Sequence, residues 1–420
     1  MNSSKPKYVT EAGDLDVNLL RKDFPILARD IRSGKRLTYL DTGATALKPR
    51  CVIDAISRYY TDYSANIHRA VHQLSEEATE AFEKTRLRIA KFVGSASESQ
   101  VVFTSGTTFG INLMAKSFVE PRVKSGDEIV ISSFEHHANI VPWHMLAKSH
   151  GVKLRVVPLT ETGGFDLEAF RKMINPRTKF VSLIWASNAL GTILPVAECI
   201  ATCKQNQIPI HIDAAQMVSH RPLEFDAMGA DFMTFSLHKL FGPTGVGVLL
   251  GKDQHFAEMP PVVGGGDMIK SVTFEETTYT THPAKFEAGT PDIASVIGAG
   301  EAVRFFSEDL SFEAIDRHES TIYREALAAL RELPGVRLLG HNEPSLPIFS
   351  FLIDGVHPHD VGTILDQHGV AVRTGHHCTQ PLMSLFGIAG SSRACFSIYN
   401  DKTDIDCLIH GIWRCKELFA

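Results

Sequence analysis

The 420-residue chain has no apolar run near the roughly 18 residues that cross a bilayer. Its longest are pieces such as KFVSLIWAS, Lys179 to Ser187, so no membrane-spanning segment is expected. Positive charge is not in excess either. Forty-two Lys and Arg stand against 48 Asp and Glu, a net charge of -6, which removes the usual basis for gripping a phosphate backbone, and no nucleic-acid partner is expected. The seven cysteines (51, 199, 203, 378, 395, 407 and 415) are odd in number and lack framework spacing. That argues against a disulfide scaffold and leaves most of them as reduced small hydrophobes. The opening MNSSKPKYVTEAGDLDVN has neither the apolar core of a secretory leader nor an Arg-rich amphipathic stripe, which makes the cytoplasm the expected compartment. Repeats and low-complexity tracts are absent, and the 44% hydrophobic, 21% charged composition is that of an ordinary globular protein.

What is present is alternation. Short apolar runs at Gln100–Phe103, Glu128–Ser132, Lys153–Pro158, Phe180–Trp185, Ile208–Asp213, Phe232–Phe235 and Gly245–Leu250 read as strands. Between them, Phe109–Val119, Val141–Ser149, Asp166–Met173, Pro195–Asn206 and Arg221–Met228 carry helical patterns. This alternation predicts an α/β fold with a mainly parallel sheet. After Gly300 the texture changes to a long amphipathic helix, Ser311–Leu333, then strands near Leu346–Ile353 and Ala394–Tyr399. The length suits two lobes: a large one over 31–299 and a smaller α+β one from 1–30 and 300–420. MPPVVGGGDM, Met259 to Met268, has no period and reads as an exposed loop or hairpin.

The chemistry concentrates at strand ends, where such sheets bind ligands. SLHKLFGPTG places Lys239 directly after a buried strand, and the preceding strand IPIHID ends in Asp213. A lysine and a carboxylate so placed are the two parts a pyridoxal phosphate enzyme needs, one for the aldehyde and one for the pyridinium nitrogen. The plain alternatives are a surface lysine and a helix-capping aspartate. SGTTFG, Ser105 to Gly110, joins a strand to a helix with small and hydroxyl residues, which suits a phosphate but also an ordinary N-cap. The P-loop lysine is missing, so a nucleoside triphosphate is a poor ligand. GVGVLLG is itself a strand and not a dinucleotide fingerprint. EHHANIVPW offers His136 to stack on a flat ring, and RTGHHCTQP sets Cys378 in a polar loop that should be exposed and near positive charge, both favouring thiolate. Adjacent histidines on a strand point apart and suit zinc poorly, and Cys199 and Cys203 suit one buried helix face better than a metal. No metal site is expected.

The ordered set NIHRAVHQLS, TSGTTFGINL, EHHANIVPW, SNALGT, HIDAAQ, SLHKLFGPTG, FEAGTP and RTGHHCTQP followed by Arg393 spans about Leu19 to Leu418. It resembles the group II, SufS-type cysteine desulfurases of the fold-type-I pyridoxal phosphate class (class V aminotransferase family), RTGHHC being what separates them from the IscS-like group I. The resemblance implies that Lys239 holds the cofactor and removes the substrate Cα proton, that Asp213 pairs with the ring nitrogen and Gln216 with the ring hydroxyl, and that His136 stacks on the ring and moves the thiol proton. It matches Thr107, Thr108, Ser236 and His238 to the phosphate, with Thr290 from the other subunit of a homodimer. Asn188 and Arg393 match the substrate carboxylate site, Cys378 the nucleophile, and Arg373 and His68 pocket neighbours. The implied activity converts L-cysteine to L-alanine, keeps the sulfur as a persulfide on Cys378, and passes it to a SufE- or SufU-type acceptor for iron-sulfur cluster assembly. The Met259–Met268 loop becomes a candidate dimer-spanning hairpin. Selenocysteine lyase is the nearest alternative, another class V enzyme such as an aminotransferase or kynureninase-like hydrolase a further one, and a non-catalytic scaffold a remote one. Pro291-Asp292-Ile293 and Cys395 depart slightly from the pattern, and the first ten to twenty residues, outside the resemblance, are expected to be poorly ordered.

Overall fold

Seven strands carry the larger sheet of the computed structural model, which describes residues 6–32, 34–340 and 344–419. They are β1 Val101–Thr104, β2 Glu128–Ser132, β3 Lys153–Val157, β4 Thr178–Ile184, β5 Ile210–Asp213, β6 Phe232–Ser236 and β7 Gly247–Gly251. Their order is β1-β7-β6-β5-β4-β2-β3, with β7 antiparallel to both neighbours and every other pair parallel. Helices cover both faces, so β1, β2, β5, β6 and β7 are buried at every residue, which is why they read as unbroken apolar runs. Only β3, at one edge of the sheet, has exposed positions.

Helix starts follow local chemistry. Asp166 accepts the Ala169 N–H at 2.8 Å to open Leu167–Met173, and Gly151, at φ 68°, closes Val141–His150 in the left-handed conformation glycine tolerates. The expected helix at Arg221–Met228 shrinks to Phe225–Met228. Glu224 sits at φ 45° just before it, so a continuous helix cannot enter from Arg221.

The smaller sheet is antiparallel throughout. Its strands β8 Val336–Leu339, β9 Ile348–Ile353, β10 Arg373–Gly375 and β11 Ser391–Cys395 lie in the order β8-β9-β11-β10. A separate hydrophobic cluster, including Phe349, Phe351, Leu365 and Ile412, packs this sheet under the helices Phe312–Arg331, Pro358–Gln367 and Lys402–Phe419. The expected strand at Ala394–Tyr399 is displaced toward the N-terminus. Small polar residues Ser391 and Ser392 are fully paired and buried there, whereas the apolar Phe396, Ile398 and Tyr399 leave the ladder for the core. Hydrophobicity alone selects the wrong half of that segment.

The N-terminal expectation is also corrected from residue 6 onward. Tyr8, Leu15 and Leu20 are buried, and the Tyr8 ring packs on Phe305 while its N–H donates to the Asp309 carbonyl at 3.1 Å. Residues 1–5 lie outside the described residues. Met259 and Met268 anchor the two ends of the irregular loop in the core, and a hairpin of Ile269–Val272 with Thr277–Tyr279 follows it and presents Phe274 fully to the surface. All seven cysteines are free, with Cys199 and Cys203 buried as expected, Cys395 sealed at 1% exposure, and Cys378 exposed.

Candidate active site

The ends of β1, β4, β5 and β6 and the loops between β10 and β11 enclose a cavity of about 430 Å³. Its lining unites Thr107, Thr108, His136, Asn188, Asp213, Gln216, Ser236, His238, Lys239, Arg373, Cys378 and Arg393. Larger hollows exist elsewhere, but among the described residues none of these four is lined by a lysine together with a buried carboxylate. His68 and Thr290 are not brought into this cavity: His68, at φ 73°, pairs with Glu83 at 2.9 Å, and Thr290 lies on an exposed turn.

Lys239 closes the short turn Leu237–Lys239 that follows β6. Burial pushes its pKa down to about 8, with the Asp213 carboxylate opposing that shift and Arg393 adding to it. Asp213 ends β5 at 2% exposure, and burial pushes its carboxyl upward, against the Ala215 N–H donated to Oδ1 at 2.9 Å. That bond is the capping contact of the plain reading, yet the helical turn it precedes begins only at Met217. Gln216 donates its side-chain N–H to the Gly43 carbonyl at 2.8 Å.

At the other end the helix Thr107–Met114 points its N-terminus at the cavity. Ser236 Oγ accepts the Thr107 N–H and lies 2.9 Å from the Thr107 hydroxyl. Gly106, at φ 146°, presses against Gly247, where a Cβ would come within 2.4 Å of the Gly106 Cα. The cradle therefore requires glycine at 247. His238 is held neutral, its pKa pushed down to about 4 by burial and by Lys239. Hydroxyls, helix N–H groups and an imidazole, with Asp213 the sole acidic lining residue, suit a phosphate at one end, a ring nitrogen at the carboxylate and an aldehyde at the lysine. The residues present fit pyridoxal phosphate.

His136 follows Glu135, a fully enclosed carboxyl that accepts from Ser132, from the Ile184 N–H at 3.0 Å and from Asn139 at 2.7 Å. These bonds fasten the turn to β2 and β4. His136 Nδ1 accepts the Ala138 N–H at 3.0 Å, and burial, with Lys239, pushes its pKa down to about 3, so the ring is neutral.

Arg393, on β11 at 2% exposure, donates to the Asn188 carbonyl at 2.7 Å and to Asp41 at 3.3 Å. Its Nε has no protein partner, so the guanidinium keeps unspent N–H groups, the Nε one among them, for a carboxylate. Arg373 grips Asp41 with two nitrogens. Asp41 thus serves both arginines, and the sequence reasoning missed it; the acid following the apolar Leu40 was its only signal. Asn188 spends its amide N–H on the His377 carbonyl at 2.7 Å, leaving a buried Oδ1 unpartnered. Cys378 sits in a turn at φ 55°, exposed, in front of the helix Gln380–Leu385.

Fold and site together define a pyridoxal phosphate enzyme of fold-type I. The family model described as Aminotransferase class-V matches residues 38–408. A probable cysteine desulfurase of Vibrio cholerae is 42% identical over 404 residues, 96% of this chain and 99% of that protein. Among solved structures, the cysteine desulfurase CsdA of Escherichia coli matches with TM-score 0.89 and 35% identity over 96% of this chain and 99% of its own. A cysteine desulfurase of Thermococcus onnurineus matches with TM-score 0.90 and 34% identity over 100% and 99%. The chain belongs to the class V aminotransferase family and, within it, to the cysteine desulfurases. Among the described residues no helix is long and apolar enough to cross a membrane.

Proposed function

We propose that this enzyme takes sulfur from L-cysteine, leaving L-alanine, and keeps it as a persulfide on Cys378. The observation that carries the reading is the position of Cys378 on an exposed turn over the same cavity as Lys239, Asp213 and Arg393. When bound, pyridoxal phosphate supplies an aldehyde for the substrate amine and an electron sink for charge at Cα. Thr107, Thr108, Ser236 and His238 hold its phosphate, Asp213 its ring nitrogen, Gln216 its hydroxyl, and His136 covers its ring. Arg393 binds the substrate carboxylate and fixes which bonds at Cα face Lys239. The free amine of Lys239 takes the Cα proton. Neutral His136 is suited to accept the substrate thiol proton. The Cys378 sulfur attacks the substrate sulfur; a sulfur–sulfur bond forms, the Cβ–sulfur bond breaks with its electron pair going to carbon, and one proton delivered to Cβ and one returned by Lys239 to Cα complete alanine.

A persulfide on an exposed loop invites transfer, and the proposal includes a SufE- or SufU-type acceptor protein serving iron-sulfur cluster assembly in the cytoplasm. It also includes a homodimer. The exposed hairpin around Phe274 and the position of Thr290 outside its own cavity support that arrangement. The proposal also divides the chain into a 31–299 lobe and a lobe of 1–30 with 300–420. The test is paired. Purified protein should be yellow and form alanine from L-cysteine, releasing sulfide only with a reductant, while Cys378→Ser stays yellow and releases none. A colourless protein, or sulfide release by Cys378→Ser at the wild-type rate, overturns the reading.

A further inference from the structure

The second histidine of the Glu135–His136–His137 turn takes no part in the chemistry above, yet it meets the nucleophile loop. The His137 N–H donates to the Cys378 carbonyl at 2.8 Å, and the His137 ring nitrogen Nε2 accepts the Gln380 N–H at 3.0 Å. The ring also lies 5.4 Å, centroid to centroid, from His376. Among the described residues these are the only hydrogen bonds reaching residues 378 to 380 from outside the loop and its own helix.

We propose that His137 is a positioning residue for the nucleophile, a two-point latch that holds the Cys378 turn over the cavity. The inference rests on the assignment of Cys378 as the sulfur acceptor. His377 and Cys378 occupy the left-handed region, at φ 53° and 55°, which residues other than glycine keep only when their surroundings hold them there. Gln380 opens its helix, so its N–H has no acceptor within the helix and depends on one from elsewhere. The anchor itself is firm because Glu135 fastens the turn to β2 and β4.

The ring works as an acceptor only while Nε2 carries no proton. Partial burial, and then His376, keep the His137 pKa below the ordinary histidine value. The titratable groups facing it are His136 on its own turn and His376 and Cys378 on the loop. The latch is therefore closed at neutral pH and opens as pH falls through that lowered pKa, when two N–H groups confront each other.

The test compares His137→Ala and His137→Gln with the wild-type holoenzyme. Cofactor absorbance and the spectral titration with L-cysteine should be unchanged in both. In His137→Ala, alkylation of Cys378 by iodoacetamide should be about tenfold faster and single-turnover alanine formation about tenfold slower, as expected when one capping bond is lost and the reacting sulfur is misplaced. His137→Gln, whose side-chain carbonyl accepts the same N–H and does not titrate, should stay near the wild type and lose the acid-side fall in rate. Unchanged alkylation and turnover in His137→Ala overturn the latch, and so does equal impairment of both variants, which would mean shape and not hydrogen bonding. If the wild type forms no alanine, the functional reading fails, while the alkylation comparison still decides the latch.

Discussion

An amine attacks an aldehyde only without its extra proton, so the rate at which cofactor-free protein captures pyridoxal phosphate reports on the Lys239 amine. A lysine of ordinary pKa, 10.5, is deprotonated at pH 7 in about one molecule in 3000. Burial brings Lys239 to about 8, which raises that fraction to about one in eleven, a gain of roughly 300-fold. The capture rate should thus climb tenfold per pH unit to about pH 8 and level off above it, followed as near-visible absorbance after rapid mixing between pH 6 and 10. A rate still climbing tenfold per unit through pH 9.5 would refute the reasoning, because it would mean an amine with no depressed pKa. Stability supplies the matching sign. The folded pKa lies below the unfolded one, so the cost of keeping the amine, about 3.5 kcal/mol at ~1.4 kcal/mol per pKa unit, is in full force below pH 8 and is lifted as pH rises from 8 to 10.5. Cofactor-free protein should gain urea resistance across that window, and Lys239→Met should lose the gain.

Replacing Asp41 by Asn leaves buried Arg393 without its only carboxylate partner among the described residues. Breaking a buried pair this way should lower the unfolding free energy by about 3 kcal/mol, and a urea titration showing less than about 0.5 kcal/mol, the size of an exposed pair, would contradict the assignment. Gly247→Ala drives a methyl into the Gly106 backbone, so cofactor affinity should fall at least about tenfold, the equivalent of ~1.4 kcal/mol, in a fluorescence titration of the cofactor-free protein. An unchanged dissociation constant would mean that the phosphate cradle is placed elsewhere. Glu135→Gln sets an amide N–H₂ against groups that already donate to this site, and should cost about 1–3 kcal/mol of stability while the yellow colour persists; colour loss at intact stability would count against a structural role.

The seven strands of the large sheet, most of the helices between them, and the positions of Lys239, Asp213 and Cys378 were legible in the sequence. Each depends on residues next to one another: an unbroken apolar run marks a strand buried on both faces, a charged residue where the run stops lies at the sheet edge, and the polar, histidine-flanked loop marks Cys378 as exposed. The register of the small sheet was not legible, because buried serines pair β10 with β11 and carry no hydrophobic signal. Nor was the packing of Tyr8, whose partners lie near residue 309. The bonds that finish the site join Asp41 to Arg393 across 352 positions and His137 to Gln380 across 243. A hydrogen bond needs its two atoms within a few ångströms, and over such separations only the packed chain sets that distance. The sequence by itself therefore determined which reactive groups stand at the strand ends and in the loop that line the cavity, while the tertiary structure decided which neighbours orient them.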